Sequence, residues 1–140
     1  MPILEAYADT FSKSHTTKVG AYIVNSDLNV ISHGYNGAPR GCSADEVGDA
    51  RSKGQDKLKW VVHAEVNSIT NMVRLGSSAL DTTILTTHYP CLDCAKIITQ
   101  VGISAVITYK PTGKFAIKWG ESIIESRKLF KEVGIVVVEI

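Results

Sequence analysis

The spacing of apolar positions changes several times along the chain. Ile3, Leu4, Tyr7, Ala8 and Phe11 recur at helical spacing and predict an amphipathic helix over residues 3–13. Val19 to Val24 is a short apolar run rich in β-branched residues. Asn25, Ser26 and Asp27 supply turn residues, and Val30-Ile31 resumes the strand pattern, so a hairpin is expected that ends at Gly34-Tyr35-Asn36-Gly37. From Ser43 to Lys59 the periodicity vanishes. Gly48, Gly54 and eight charged residues crowd 17 positions, which reads as a functional lid or a disordered segment. Order returns with a helix from His63 to Leu75, whose apolar face is read as Val62, Val66, Ile69 and Val73, with Gly76 as its stop. Thr82–Thr87 reads as a strand. Pro90 opens a helix to about Val101, ended by Gly102, and Ser104–Thr108 is a further strand. Residues 117–133 read as a helix with Ile123, Ile124, Leu129 and Phe130 apolar, closed by Gly134, before a last strand over 135–138.

Helices alternate with strands after the hairpin, the pattern of an α/β sheet with helices on both faces. Right-handed crossovers then bring the helix starts at His63 and Pro90 to one edge of the sheet. No repeat, low-complexity tract or Pro-rich linker divides the chain, so residues 1–140 are expected to form one domain. With 44% hydrophobic and 21% charged residues the composition is that of a soluble globular protein. A net charge of +1 argues against a main affinity for a nucleic-acid backbone. No apolar run reaches the roughly 18 residues of a membrane span. Met1 to Asp9 has neither a basic start nor a long apolar core, so no secretory signal is expected and the default location is cytoplasmic.

Three cysteines, Cys42, Cys91 and Cys94, are too few and too odd for a disulfide framework. Cys91-Leu92-Asp93-Cys94 is a C-x-x-C, which alone is either a metal pair or a thioredoxin-like redox pair. Cys42 has no ligand spacing around it. Of the four histidines, His15 lies in a polar loop and His33 in a strand beside Gly34. His88 sits three residues before Cys91 and competes as a ligand. His63 begins a helix and is followed by Glu65. His63, Cys91 and Cys94 make three ligands, the number of a catalytic zinc site that keeps one position for water. Glu65 beside that position is a carboxylate able to exchange a proton with the water. Both cysteines fall in the first turn of a helix, where the dipole and free N–H groups favour thiolates.

His63-Ala64-Glu65 followed by Pro90-Cys91-Leu92-Asp93-Cys94 resembles the signature of the zinc nucleobase deaminases, in which the glutamate is a general acid/base and not a ligand. Further blocks extend the resemblance to the deoxycytidylate (dCMP) deaminases. They are Ser12-Lys13, Val19-Gly20-Ala21, Gly34-Tyr35-Asn36-Gly37-Ala38-Pro39-Arg40-Gly41-Cys42-Ser43, Glu65-Val66-Asn67-Ser68-Ile69, Ala95-Lys96-Ile97-Ile98, and the late Leu129-Phe130 and Val133-Gly134-Ile135. Together they span about residues 11–138.

The resemblance implies a three-layer α/β/α cytidine-deaminase-like fold with a mixed sheet of about five strands. It implies hydrolytic deamination of dCMP to dUMP with release of ammonia, supplying dUMP for thymidylate synthesis. His63, Cys91 and Cys94 would hold Zn2+, and Glu65 would shuttle protons. Asn36 would bind the sugar, the Ala64 backbone the pyrimidine carbonyl, and Lys13 and Ser12 would serve the nucleotide. Family members are commonly hexamers activated by dCTP and inhibited by dTTP. Gly34, Tyr35, Asn36, Gly37 and Arg40 resemble the block linked to that regulation, with Mg2+ accompanying an effector triphosphate.

The chain departs from the family at points that bear on phosphate. Phe11 stands where relatives often carry arginine, and Ser14-His15 where they often have Asp-Pro. His88-Tyr89 before Pro90 is also unusual. Lys110, Lys114 and Lys118 are candidates for phosphate contact or simply a solvated lysine loop. The competing functional readings are a deaminase of dCTP or of both nucleotides, a tRNA adenosine or other nucleic-acid deaminase, and a non-catalytic zinc-binding module. Net charge and the ten aromatics support the nucleic-acid reading weakly. Glu65 argues against a module, which has no use for a proton shuttle.

Overall fold

A computed structural model describes residues 1–46 and 48–140, apart from the side chain of Gln55. Five strands form one sheet: β1 (Gly20–Val24), β2 (Val30–Tyr35), β3 (Thr83–Thr86), β4 (Ala105–Thr108) and β5 (Val136–Glu139), in the order β2-β1-β3-β4-β5. β1 runs antiparallel to both neighbours, while β3, β4 and β5 are parallel. The sheet is mixed because the first two strands are joined by a hairpin turn and the last three by helical crossovers.

The described residues form five helices, α1 (Pro2–Phe11), α2 (Gly54–Trp60), α3 (Ala64–Arg74), α4 (Leu92–Gln100) and α5 (Gly113–Val133), of which α2 packs on the short 3-10 turn before it and the others lie on the sheet. Alternation along β2 assigns the faces. His33 and Tyr35 meet Tyr7 of α1, with ring centroids 5.3 and 6.0 Å apart. Ser32 and Gly34 point the other way, and Ser32 Oγ donates to the Ser68 carbonyl of α3 at 2.6 Å. That second face carries the core, where Ala21, Ile23, Ile84 and Val106 of the sheet pack with Ile69, Met72, Ile98, Ile123 and Phe130 of α3, α4 and α5. The expected α/β/α layering is present, with α1 alone on its face. Beyond α1 that face is partly bare, and Val136 is 60% exposed.

The structure corrects the sequence reading in three places. The stretch 43–59 contains a 3-10 turn (Ala50–Ser52) and α2, because polar contacts order it without any apolar period. Asp49 accepts from the Arg51 backbone at 2.9 Å and pairs with its guanidinium, which lies 4.7 Å above the Trp60 ring. The inward face of α3 is Ala64, Glu65, Ser68, Ile69 and Met72, leaving Val73 65% exposed. α5 begins at Gly113 and its Ile117 and Ile124 face outward, so Ile123 and Phe130 carry the packing.

Candidate functional site

Two helix starts converge at the C-terminal end of β3. His63 is the N-cap of α3 and Cys91 the N-cap of α4, with Cys94 one turn inside. Each cap precedes an element that the core holds in place: Ile69 and Met72 anchor α3, and Ala95 and Ile98 anchor α4. The sequence placed both cysteines in a first helical turn; Cys91 lies at the cap itself.

The ligand atoms of His63, Cys91 and Cys94 all lie within 4.8 Å of one another. His63 Nδ1 is 3.5 Å from Cys91 Sγ and 3.3 Å from Cys94 Sγ. A tetrahedral zinc ion with its usual bonds of about 2.0 Å to nitrogen and 2.3 Å to sulfur requires an N···S separation of about 3.5 Å. The donor set and its spacing therefore fit zinc. His88 is not in this cluster: its Nδ1 is 3.1 Å from the Thr87 hydroxyl and its ring packs edge-on against Phe115, centroids 4.6 Å apart.

The electrostatics are those of a buried acidic cluster. Cys91 is brought down to about 4, first by its hydrogen bond with Cys94 and then by His63. The same bond, with burial, pushes the Cys94 thiol up, so one of the pair is the thiolate. His63 is raised, chiefly by the Cys91 sulfur and also by Glu65. Glu65 is 4% exposed, and burial raises its carboxyl above the ordinary range. Such a group holds a proton readily and gives it up to a stronger base, the property wanted of a general acid/base.

A cavity of about 90 Å³ has His63, Glu65 and Cys91 in its wall, together with Asn36, Ala64, Lys57, Lys118 and Trp119. It adjoins a wider groove of about 810 Å³, with Thr16, Thr17, His88, Phe115, Lys118 and Trp119 in the walls of both. The Trp119 ring stands edge-on to His63, centroids 5.9 Å apart.

Asn36 is locked by three bonds. Its Oδ1 accepts from Ser12 Oγ at 2.7 Å and from Val19 N at 2.8 Å, and its Nδ2 donates to the Thr17 carbonyl at 2.9 Å. Ser12 thus reaches Asn36 and not the cavity. Lys13 stands apart from the cavity, paired with Glu46 at 3.0 Å. Of the glycine-rich block, Gly34 lies under α3, Tyr35 stacks on Phe11, Gly37 bridges Val62 through the backbone, and Arg40 donates to Asn71 at 2.7 Å. His15 and His33 are exposed, and His33 Nδ1 is 2.6 Å from the Tyr7 hydroxyl. Sequence reasoning missed Lys57, Thr16, Thr17, Phe115 and the packing of Trp119. Phe115 and Trp119 are four apart on α5, a helical spacing that signals one face.

Comparison with known proteins agrees with this geometry. Residues 1–110 match the model of the cytidine and deoxycytidylate deaminase zinc-binding region. Deoxycytidylate deaminase of Homo sapiens is 39% identical over 99 residues, covering 69% of this chain and 54% of that protein. An uncharacterized deaminase of Aliivibrio fischeri is 35% identical over 128 residues, covering 90% and 81%. The dCMP deaminase of cyanophage S-TIM5 in its apo form superposes with a TM-score of 0.69 at 27% identity, covering 99% of this chain and 98% of that one. The chain spans about half the length of several curated deoxycytidylate deaminases that it matches. With the matched region covering both helix starts that form the three-donor cluster, the chain belongs to the cytidine and deoxycytidylate deaminase family.

Proposed function

We propose that this chain hydrolyses dCMP to dUMP and ammonia. The observation that carries the proposal is Glu65, buried beside the His63–Cys91–Cys94 cluster in the wall of a cavity that also presents a backbone donor and an amide. His63, Cys91 and Cys94 are the zinc ligands in this reading. Zinc bound by them would supply a water whose pKa is lowered to about 7. Glu65 takes a proton at its carboxylate and delivers it to the ring nitrogen next to the amine-bearing carbon. The water oxygen bonds to that carbon; Glu65 takes the second proton from this oxygen as it becomes the carbonyl and gives it to the amine, whose bond to carbon breaks as ammonia leaves.

The other residues orient the nucleotide. His63 gives α3 no side-chain cap, so the Ala64 N–H at the helix start is free to meet the pyrimidine carbonyl. Asn36 spends one amide hydrogen on Thr17 and keeps the other for a sugar hydroxyl. The Trp119 and Phe115 rings give the base an apolar wall.

The test is a substrate panel of cytidine, dCMP, CMP and dCTP, with and without dTTP. Turnover of dCMP well above cytidine is the expected result, and equal efficiency on both overturns the nucleotide reading. A second reading, acceptance of dCTP, is favoured by the wider groove, where Lys18 and Lys114 lie beyond the cavity. The family resemblance adds a hexamer, regulation by dCTP and dTTP with Mg2+, and a cytoplasmic setting. No helix among the described residues is long and apolar enough to cross a membrane.

A further inference from the structure

Two ammonium groups stand in the wall of the cavity without a carboxylate. Lys57 comes from the last turn of α2 and Lys118 from the first half of α5. Lys13, Lys59, Lys96 and Lys128 each pair with an acid; among the described residues Lys57 and Lys118 do not. Lys57 Nζ is instead held by two hydroxyls, Ser14 Oγ at 2.5 Å and Thr16 Oγ1 at 2.9 Å. Lys118 Nζ lies 5.4 Å from the centre of the Trp119 ring, beside the base wall. Burial lowers Lys57, and the charge on Lys118 lowers it further, so the two cations sense each other. Like charges left facing one cavity are unfavourable, and a doubly charged anion between them reverses the sign of that interaction.

We infer that Lys57 and Lys118, with the Thr16 hydroxyl, form the subsite for the 5′-phosphate of the nucleotide. The inference rests on the deaminase reading and adds the residues that separate a nucleotide from a nucleoside. Lys110 and Lys114 stand outside the cavity, and the other two positions are engaged elsewhere. Lys13 is neutralised by Glu46, and Phe11, standing where relatives often carry arginine, stacks with Tyr7 and Tyr35 on the α1 side of the sheet. Lysines present point charges on flexible stems, so the subsite recognises charge more than planar geometry.

The test compares kcat/KM for dCMP and deoxycytidine in wild type, Lys57→Gln, Lys118→Gln, Lys118→Arg and the remote control Lys128→Gln. Thermal unfolding and zinc content are recorded for each. The dCMP-to-deoxycytidine ratio should fall about 10- to 100-fold in each glutamine variant, the scale of a hydrogen bond to a charged group. The loss should appear mainly as a raised KM for dCMP. Lys118→Arg should restore most of the ratio, and Lys128→Gln should leave it alone. If wild type prefers dCMP and both glutamine variants keep that preference within twofold, the subsite is wrong while the deaminase reading stands. If wild type turns over both substrates without preference the nucleotide reading fails, and if it turns over neither the deaminase reading fails; in either case calorimetric titration with dUMP and with inorganic phosphate decides the subsite. Weaker binding in both variants then supports it, and unchanged binding overturns it. Should Lys57→Gln fail to fold, the exposed Lys118 carries the same comparison alone.

Discussion

Gly34 and Ser68 are in such close approach that a methyl group at position 34 would lie 2.3 Å from the Ser68 nitrogen and 2.5 Å from the Ala64 carbonyl oxygen. Both neighbours are backbone of α3, so no side chain can swing aside. Gly34→Ala must push the first turn of that helix off the sheet, and with it His63 and Glu65. Overpacking of this kind costs about 1–3 kcal/mol, and here the backbone obstruction puts the expectation at the upper end. Thermal unfolding and zinc content measured together check this. A variant with wild-type stability and full metal would mean that β2 yields in place of α3.

Glu65→Gln preserves the shape of the buried side chain and removes its titration. Metal content and nucleotide binding should be retained while turnover drops about 10²- to 10⁴-fold, the scale of general acid–base catalysis. Activity within a few-fold of wild type would take Glu65 out of the proton path.

Metal analysis of single substitutions checks the ligand set. His63→Ala, Cys91→Ser and Cys94→Ser should each lose zinc, by inductively coupled plasma measurement after dialysis. His88→Ala should keep about one ion per chain, because its ring packs on Phe115 outside the donor cluster. The reverse pattern would reassign the centre to His88.

The aromatic cluster under α1 sets an alkaline limit. Burial first, then the neighbouring Tyr35 and Tyr22, raise Tyr7 from its ordinary 10.0 to about 12. The folded chain holds this proton more tightly than the unfolded one. Its contribution is complete below pH 10 and disappears as pH rises from 10 through 12. Circular dichroism should show an unfolding transition in that window, moved to higher pH in Tyr7→Phe. Coincident transitions in the two proteins would remove Tyr7 as the cause.

What was legible in the sequence follows from which forces leave a periodic trace. Ala21 and Ile23 alternate, Ile69 and Met72 lie three apart, and burial of such positions shaped the sheet and its large helices as expected. α2 left no trace because Gly54 to Trp60 is anchored by Lys57 on Ser14 and Thr16, contacts 43 and 41 positions away. The metal cluster was readable because its three donors sit at two helix starts with fixed local spacing. Lys57 was not readable as a site residue, since it shares a cavity wall with Glu65 only once α2 is packed in place. Val73 misled because a helix that packs on one sheet face buries the small Ala64 and Ser68 and leaves a larger residue in water.

His63 and Cys91 are 28 positions apart, and an ion shared by them joins the hairpin half of the chain to the parallel half. In cross-link terms, closing a loop of that length removes roughly 3–4 kcal/mol of freedom from the unfolded chain. On the proposed mechanism the ion would be a clasp as well as a reagent. A chelator should lower the melting temperature as well as stop turnover, and should make the chain more readily cut by protease.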